Sequence, residues 1–162
     1  MNTTSKIDIL FDCYYFNLAW GLSIYGFFIS VEGDVCRYGI QKGKNLPEFI
    51  SIDGTFREFI DACRRDFSVI DKVDSQELSE HASLIEAASL GEVERSIGSF
   101  DGGSTIFLAY TTAGDERRVV ILQQFGDAIA TNQSPETETL VKWLDGYWSK
   151  VENMYLSEFY PK

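Results

Sequence analysis

The sequence predicts an α+β fold: a mostly antiparallel sheet packed against about three helices, with residues 1–162 forming a single domain. Three observations predict it. Residues 24–40 and 104–124 each read as two extended arms about a turn. Apolar residues at helical spacing run between these hairpins, and a third helical run closes the chain after residue 134. Strands grouped along the chain, instead of alternating with helices, pair as antiparallel neighbours. A chain of 162 residues buries roughly 70% of its unfolded surface, so its core needs no disulfide or metal staple.

Ile7, Ile9 and Phe11 alternate with Asp8, Leu10 and Asp12, the period-two pattern of a half-buried strand. In the first hairpin Phe27, Ile29 and Val31 alternate on one arm, and Cys36, Tyr38 and Ile40 on the other. Glu32-Gly33-Asp34 supplies the turn between them, and residues 42–47 form a loop. Thr55 and Glu58 stand in capping-box spacing, and Phe56, Phe59, Ile60 and Cys63 follow as one apolar stripe. Arg64 and Arg65 fall in the last turn of that helix, where cations suit its dipole. A second helix begins after Asp74 or Ser75, with Leu78, Ala82, Ile85 and Ser89 on one face, and stops at Leu90-Gly91.

Residues 98–105, GSFDGGST, resemble a phosphate loop in composition. Such a loop follows a strand and opens a helix, so that backbone N–H groups face the anion. This one runs into the extended stretch IFLAY and lacks the Walker lysine. It reads as a turn whose glycines supply positive φ. The runs 104–112 and 117–124 form the second hairpin about the loop 113–116. Asp127–Thr131 is a short strand, and Ser134 and Pro135 give an N-cap and first helical position. Leu140, Trp143, Leu144, Tyr147, Val151 and Tyr155 keep helical spacing, with Gly146 as a weak point.

Cys13, Cys36 and Cys63 are widely spaced among apolar neighbours, with no C-x-x-C pair, as buried free thiols are. They predict a reducing, cytoplasmic setting. Asp8, Asp12 and Asn17 interrupt the apolar N-terminal region, which reads as neither a signal peptide nor a membrane span.

No recognised catalytic or cofactor pattern stands in the chain. His81, the single histidine, excludes an H-E-x-x-H zinc site and lies at the edge of the second helix's apolar stripe. No G-x-S-x-G elbow and no D-x-D-x-D-G calcium loop occurs, and SIDGT at 51–55 lacks the acids for one. Asp101, Asp115, Glu116 and Asp127 sit at turns, where acids hydrogen-bond nearby backbone. The expectation is a protein without metal, cofactor or catalysis; a carboxylate-based enzyme is the alternative.

The net charge of −11 argues against phosphate-mediated nucleic-acid binding. Residues 71–94 hold Asp71, Asp74, Glu77, Glu80, Glu86, Glu92 and Glu94 against Lys72 alone, which is −6 of that total. Such a segment is a solvated face or a surface built to meet a basic partner. Tyr14, Tyr15, Phe16, Trp20, Tyr25, Phe27 and Phe28 crowd one stretch, and alternation turns only some of them inward. Surface tyrosine and tryptophan anchor protein interfaces.

In size, acidity and architecture the chain resembles immunity proteins of bacterial toxin systems, which block a toxin domain, often by presenting carboxylates to a basic cleft. The resemblance implies a basic toxin domain as partner. Asp71, Asp74, Glu77 and Glu80 are the expected contacts, with Tyr14 and Trp20 as further anchors. A phage-type inhibitor or adaptor would use the same surface logic on another target.

Overall fold

A computed structural model describes residues 8–17, 19, 23–40, 56–113 and 116–159. Eight strands form one antiparallel sheet: β1 (Ile9–Asn17), β2 (Ser23–Ser30), β3 (Asp34–Gly39), β4 (Ser68–Lys72), β5 (Val93–Ile97), β6 (Ser104–Ala113), β7 (Glu116–Gly126) and β8 (Ala128–Asn132). Their spatial order is β4-β3-β2-β1-β6-β7-β8-β5. Two meanders, β1-β2-β3 and β6-β7-β8, therefore join through the β1–β6 pair, and β4 and β5 become the opposite edges. The helices are α1 (Phe56–Arg64), α2 (Ser75–Ala82), α3 (Ile85–Ser89) and α4 (Pro135–Phe159). The α+β class is thus observed.

The second helix of the sequence reading is two segments, α2 and α3, broken at Ser83-Leu84. Asp74 caps α2 by accepting from the N–H groups of Gln76 and Glu77. At the break the Leu84 N–H reaches back only to the His81 carbonyl, and the Ser83 hydroxyl takes the Glu80 carbonyl. Because β4 and β5 lie at opposite edges, α2 and α3 carry the chain across the whole sheet. Thr55, the loop 42–47, SIDGT and the loop residues Gly114 and Asp115 lie outside the described residues.

Both faces of the sheet centre are buried, which corrects the half-buried reading of the first strand. Phe11, Cys13, Tyr25, Phe27, Ile29, Phe107, Ala109 and Leu122 face α2, α3 and α4. Leu78, Ile85, Ala88, Leu140, Leu144, Trp148 and Val151 meet them from the helices. Tyr14, Ile24, Phe28, Cys36, Tyr38 and Leu108 face the other way, under Ile60 and Cys63 of α1. The register pairs Phe28 with Cys36 and Phe27 with Arg37, so the two apolar stripes of the first hairpin point to opposite faces. Each Phe, Leu or Ile sealed in this way contributes about 1.5–3 kcal/mol.

Helix α4 keeps its apolar positions on the sheet over 25 residues. Ser134 caps it through the Glu136 N–H, and Tyr25 stacks between Trp148 and Tyr155 near its far end. No helix among the described residues is long and apolar enough to cross a membrane. All three cysteines are free and buried, and burial pushes the Cys36 and Cys63 thiols up to about 11.

Candidate functional site

The structure distributes the expected contact residues among different tasks. Asp71 stands on the edge strand β4, accepting from Lys150 Nζ at 2.7 Å and from the Lys72 N–H at 2.9 Å. These hydrogen bonds, the one from Lys150 foremost, hold its carboxyl below the usual range. Asp74 is the N-cap of α2. Glu77 is half-buried and accepts from Trp143 Nε1 at 2.6 Å, while His81 stacks on the same indole with centroids 4.0 Å apart. Glu80 is exposed, and its carboxylate accepts from the neutral Gln76 amide. Tyr14 is 7% exposed inside the second core cluster, because that sheet face is covered too. It is not an exposed anchor. Trp20 lies outside the described residues.

Within residues 71–94 the exposed acids that neither cap a helix nor form an ion pair among the described residues are Glu80, Glu86, Glu92 and Glu94, on α2, on α3, before β5 and on β5. Lys72, the one lysine of the segment, is bound to Asp34 at 2.9 Å. Arg95 is exposed on β5 beside Glu94.

The glycine bend at 98–105 does bind an anion, and the anion is the chain's own. Gly102 and Gly103 donate their N–H groups to the two oxygens of Asp127 at 2.8 and 2.9 Å. Asp101 and Gly103 hold positive φ of 65° and 75° to aim them. A Cβ on Gly103 would lie 2.6 Å from the Phe16 carbonyl oxygen. The loop is therefore occupied by the turn acid that follows β7.

A second constellation, absent from the sequence reading, lies on the α1 side. Asp12 sits mid-strand in β1 and is 0% exposed. Its Oδ1 accepts from Tyr38 Oη at 2.7 Å, and its Oδ2 accepts from Arg64 Nη2. The same Nη2 reaches Tyr110 Oη at 3.2 Å, and Nη1 binds Asp61 at 2.7 Å. Burial pushes the Asp12 carboxyl above its usual range, and Arg64 and Tyr38 oppose the rise. Burial works against the Arg64 cation, but Asp12, Tyr38 and Tyr110 together outweigh it and keep the guanidinium charged. The Tyr110 hydroxyl is pushed up to about 12, chiefly by burial and by Asp12.

This network floors one end of a groove of about 520 Å³ between α1 and the exposed side of β6 and β7. Arg64, Asp61, Tyr110, Arg117 and Gln124 line it with apolar side chains from α1, β6 and β7. Asp12, the acid with the raised carboxyl, does not reach the groove: both its oxygens are bound and it lies behind Arg64. A general acid or base must touch the proton it moves, so Asp12 acts as a buried counter-ion. Among the described residues no group of His, Cys, Asp and Glu is placed to hold a metal ion.

The fold and site define an α+β protein with an acidic exterior and an arginine-floored groove. Comparison of the chain with protein-family models, curated protein sequences and solved structures gives no significant match.

Proposed function

We propose that this is a non-catalytic binding protein that presents its acidic exterior to a basic protein partner, as an immunity protein meets the toxin it neutralises. The observation that carries this reading is the set Glu80, Glu86, Glu92 and Glu94, exposed and without ion pairs among the described residues. Acids left unneutralised on adjoining elements give a field that draws a basic surface and speeds its approach. Asp71, Asp74 and Glu77 already serve Lys150, the α2 cap and Trp143. They support the surface more than they offer it.

The test is affinity capture from a lysate of the native host, followed by mass spectrometry, on two baits. One bait is the native chain; the other carries Glu80→Lys, Glu86→Lys, Glu92→Lys and Glu94→Lys, and is first shown by circular dichroism to be folded. A basic protein retained by the native bait, lost from the variant and released by raised salt is the expected result. Identical captured sets on both baits would remove the acidic surface from the account.

A further inference from the structure

The groove on the α1 side has the opposite character from the rest of the exterior. The chain carries 25 acids against 14 bases, yet this groove is lined by Arg64 and Arg117 against Asp61 alone. Arg64 is already bound to Asp12 and Asp61. Arg117 is not matched in this way: it meets no carboxylate among the described residues. Its guanidinium lies 3.8 Å over the Tyr110 ring and donates to the Ile9 carbonyl, which fixes the fork while leaving donors unused.

Beyond this charged end the walls are mostly apolar, with the Gln124 amide among them. Ile106 and Ile121 are half-buried, and Phe56 and Val119 keep 40% and 43% of their surface exposed at the rim. A cavity of about 520 Å³ lies within the size range of small-molecule sites, which pair apolar walls with a few fixed polar groups. A preset cation at one end and exposed apolar surface along the rest complement a molecule with an anionic head and an apolar body. The head carries a single charge, because a dianion would meet Asp61 on the wall and Asp12 behind Arg64.

We propose that this groove binds a small amphipathic carboxylate, its head on Arg117 beside Arg64 and its body along Phe56, Ile106, Val119 and Ile121. The apolar body of the site lies on the sheet face opposite α2 and α3, while Arg117 and Tyr110 also line a smaller cavity with Glu86 of α3, so the test uses variants of the groove and none of the acidic surface. The buried Asp12–Arg64–Tyr110 network then serves as the rigid mount that holds the charged end of the groove in place.

The experiment titrates decanoate into the full chain, followed by calorimetry and by backbone amide shifts, with decanol and acetate as partial ligands. Decanoate is expected to bind saturably at one site, shifting amides of β6, β7 and α1, and to bind more tightly than either partial ligand. Arg117→Gln is expected to weaken it about tenfold or more, the value of one charged hydrogen-bonded contact. Val119→Glu, which places a like charge in the apolar rim, weakens it comparably. Arg118→Gln, on the other face of β7, leaves it unchanged. Absence of saturable binding, decanol binding as tightly as decanoate, or an Arg117→Gln variant with native affinity would each overturn the proposal.

Discussion

Separating Asp12 from Arg64 should cost more stability than any other exchange of polar groups in the described residues. Asp12 is wholly buried, and the Arg64 side chain is 13% exposed, so either charge left alone has little access to water. Removing one partner of a buried pair costs about 3–5 kcal/mol, a large share of the 5–15 kcal/mol that holds a typical domain together. Asp12→Asn leaves Arg64 with Asp61 and Tyr110, and Arg64→Met leaves the carboxylate with Tyr38 alone. The double variant Asp12→Asn with Arg64→Met removes both charges together. It should be more stable than the single losses predict, because the desolvation cost disappears with the pair.

The pH dependence gives a second readout with a definite sign. Burial already raises Asp12 above its unfolded value, and Arg64 opposes that rise. In Arg64→Met the strongest opposing group is gone, Tyr38 and Arg117 remain, and the carboxyl rises further. A raised acid favours the protonated native state, so its contribution is full below the unfolded value and is lost as pH climbs through the folded one. The variant should lose stability up to the folded value at a limiting slope of about 1.4 kcal/mol per pH unit, against a shallower native loss. Urea unfolding of all four proteins at about pH 5 and about pH 7 measures both quantities. Additive single and double losses, or an Arg64→Met variant with the same pH dependence as the native protein, would refute the coupling.

Gly146 lies within α4, and a Cβ built there meets nothing within 4 Å. Gly146→Ala should therefore stabilise the protein by about 0.5–1 kcal/mol through helix propensity and a less flexible unfolded chain, a gain of a few degrees in thermal midpoint. Asp127→Asn turns one of the two acceptors for Gly102 and Gly103 into a donor. It should cost about 1–3 kcal/mol and speed hydrogen exchange at those two amides ahead of the amides of β6.

The elements legible in the sequence are those whose signals are local. The β2–β3 and β6–β7 hairpins lie within a few residues of their reading, and Asp74 and Ser134 cap the helices they mark. Strands β4 and β5 were not legible. β4 carries Ser68 and Val69 exposed, and β5 has Glu94, Arg95, Ser96 and Ile97 all open to solvent. An edge strand with little to bury has no hydrophobic period to read. The crowd of aromatics from Tyr14 to Phe28 was legible as core material, but not as two-sided. Alternation reports one buried face, whereas β1 and β2 have helices on both.

By its own pattern the chain determined the antiparallel meanders, the long closing helix, the buried thiols and the excess of carboxylates. These follow from spacings of two and of three to four residues, and from composition, none of which needs a distant partner. The tertiary structure decided what each polar group is for. Asp12 looked like the solvent side of a strand and Arg64 like a dipole cation, yet 52 residues of separation close into a buried ion pair under a groove. Asp127 fills the glycine bend from 24 residues away, and Glu77 holds an indole 66 residues on. Contacts of that range arise from packing one layer on another, which is where the physical meaning of these residues is set.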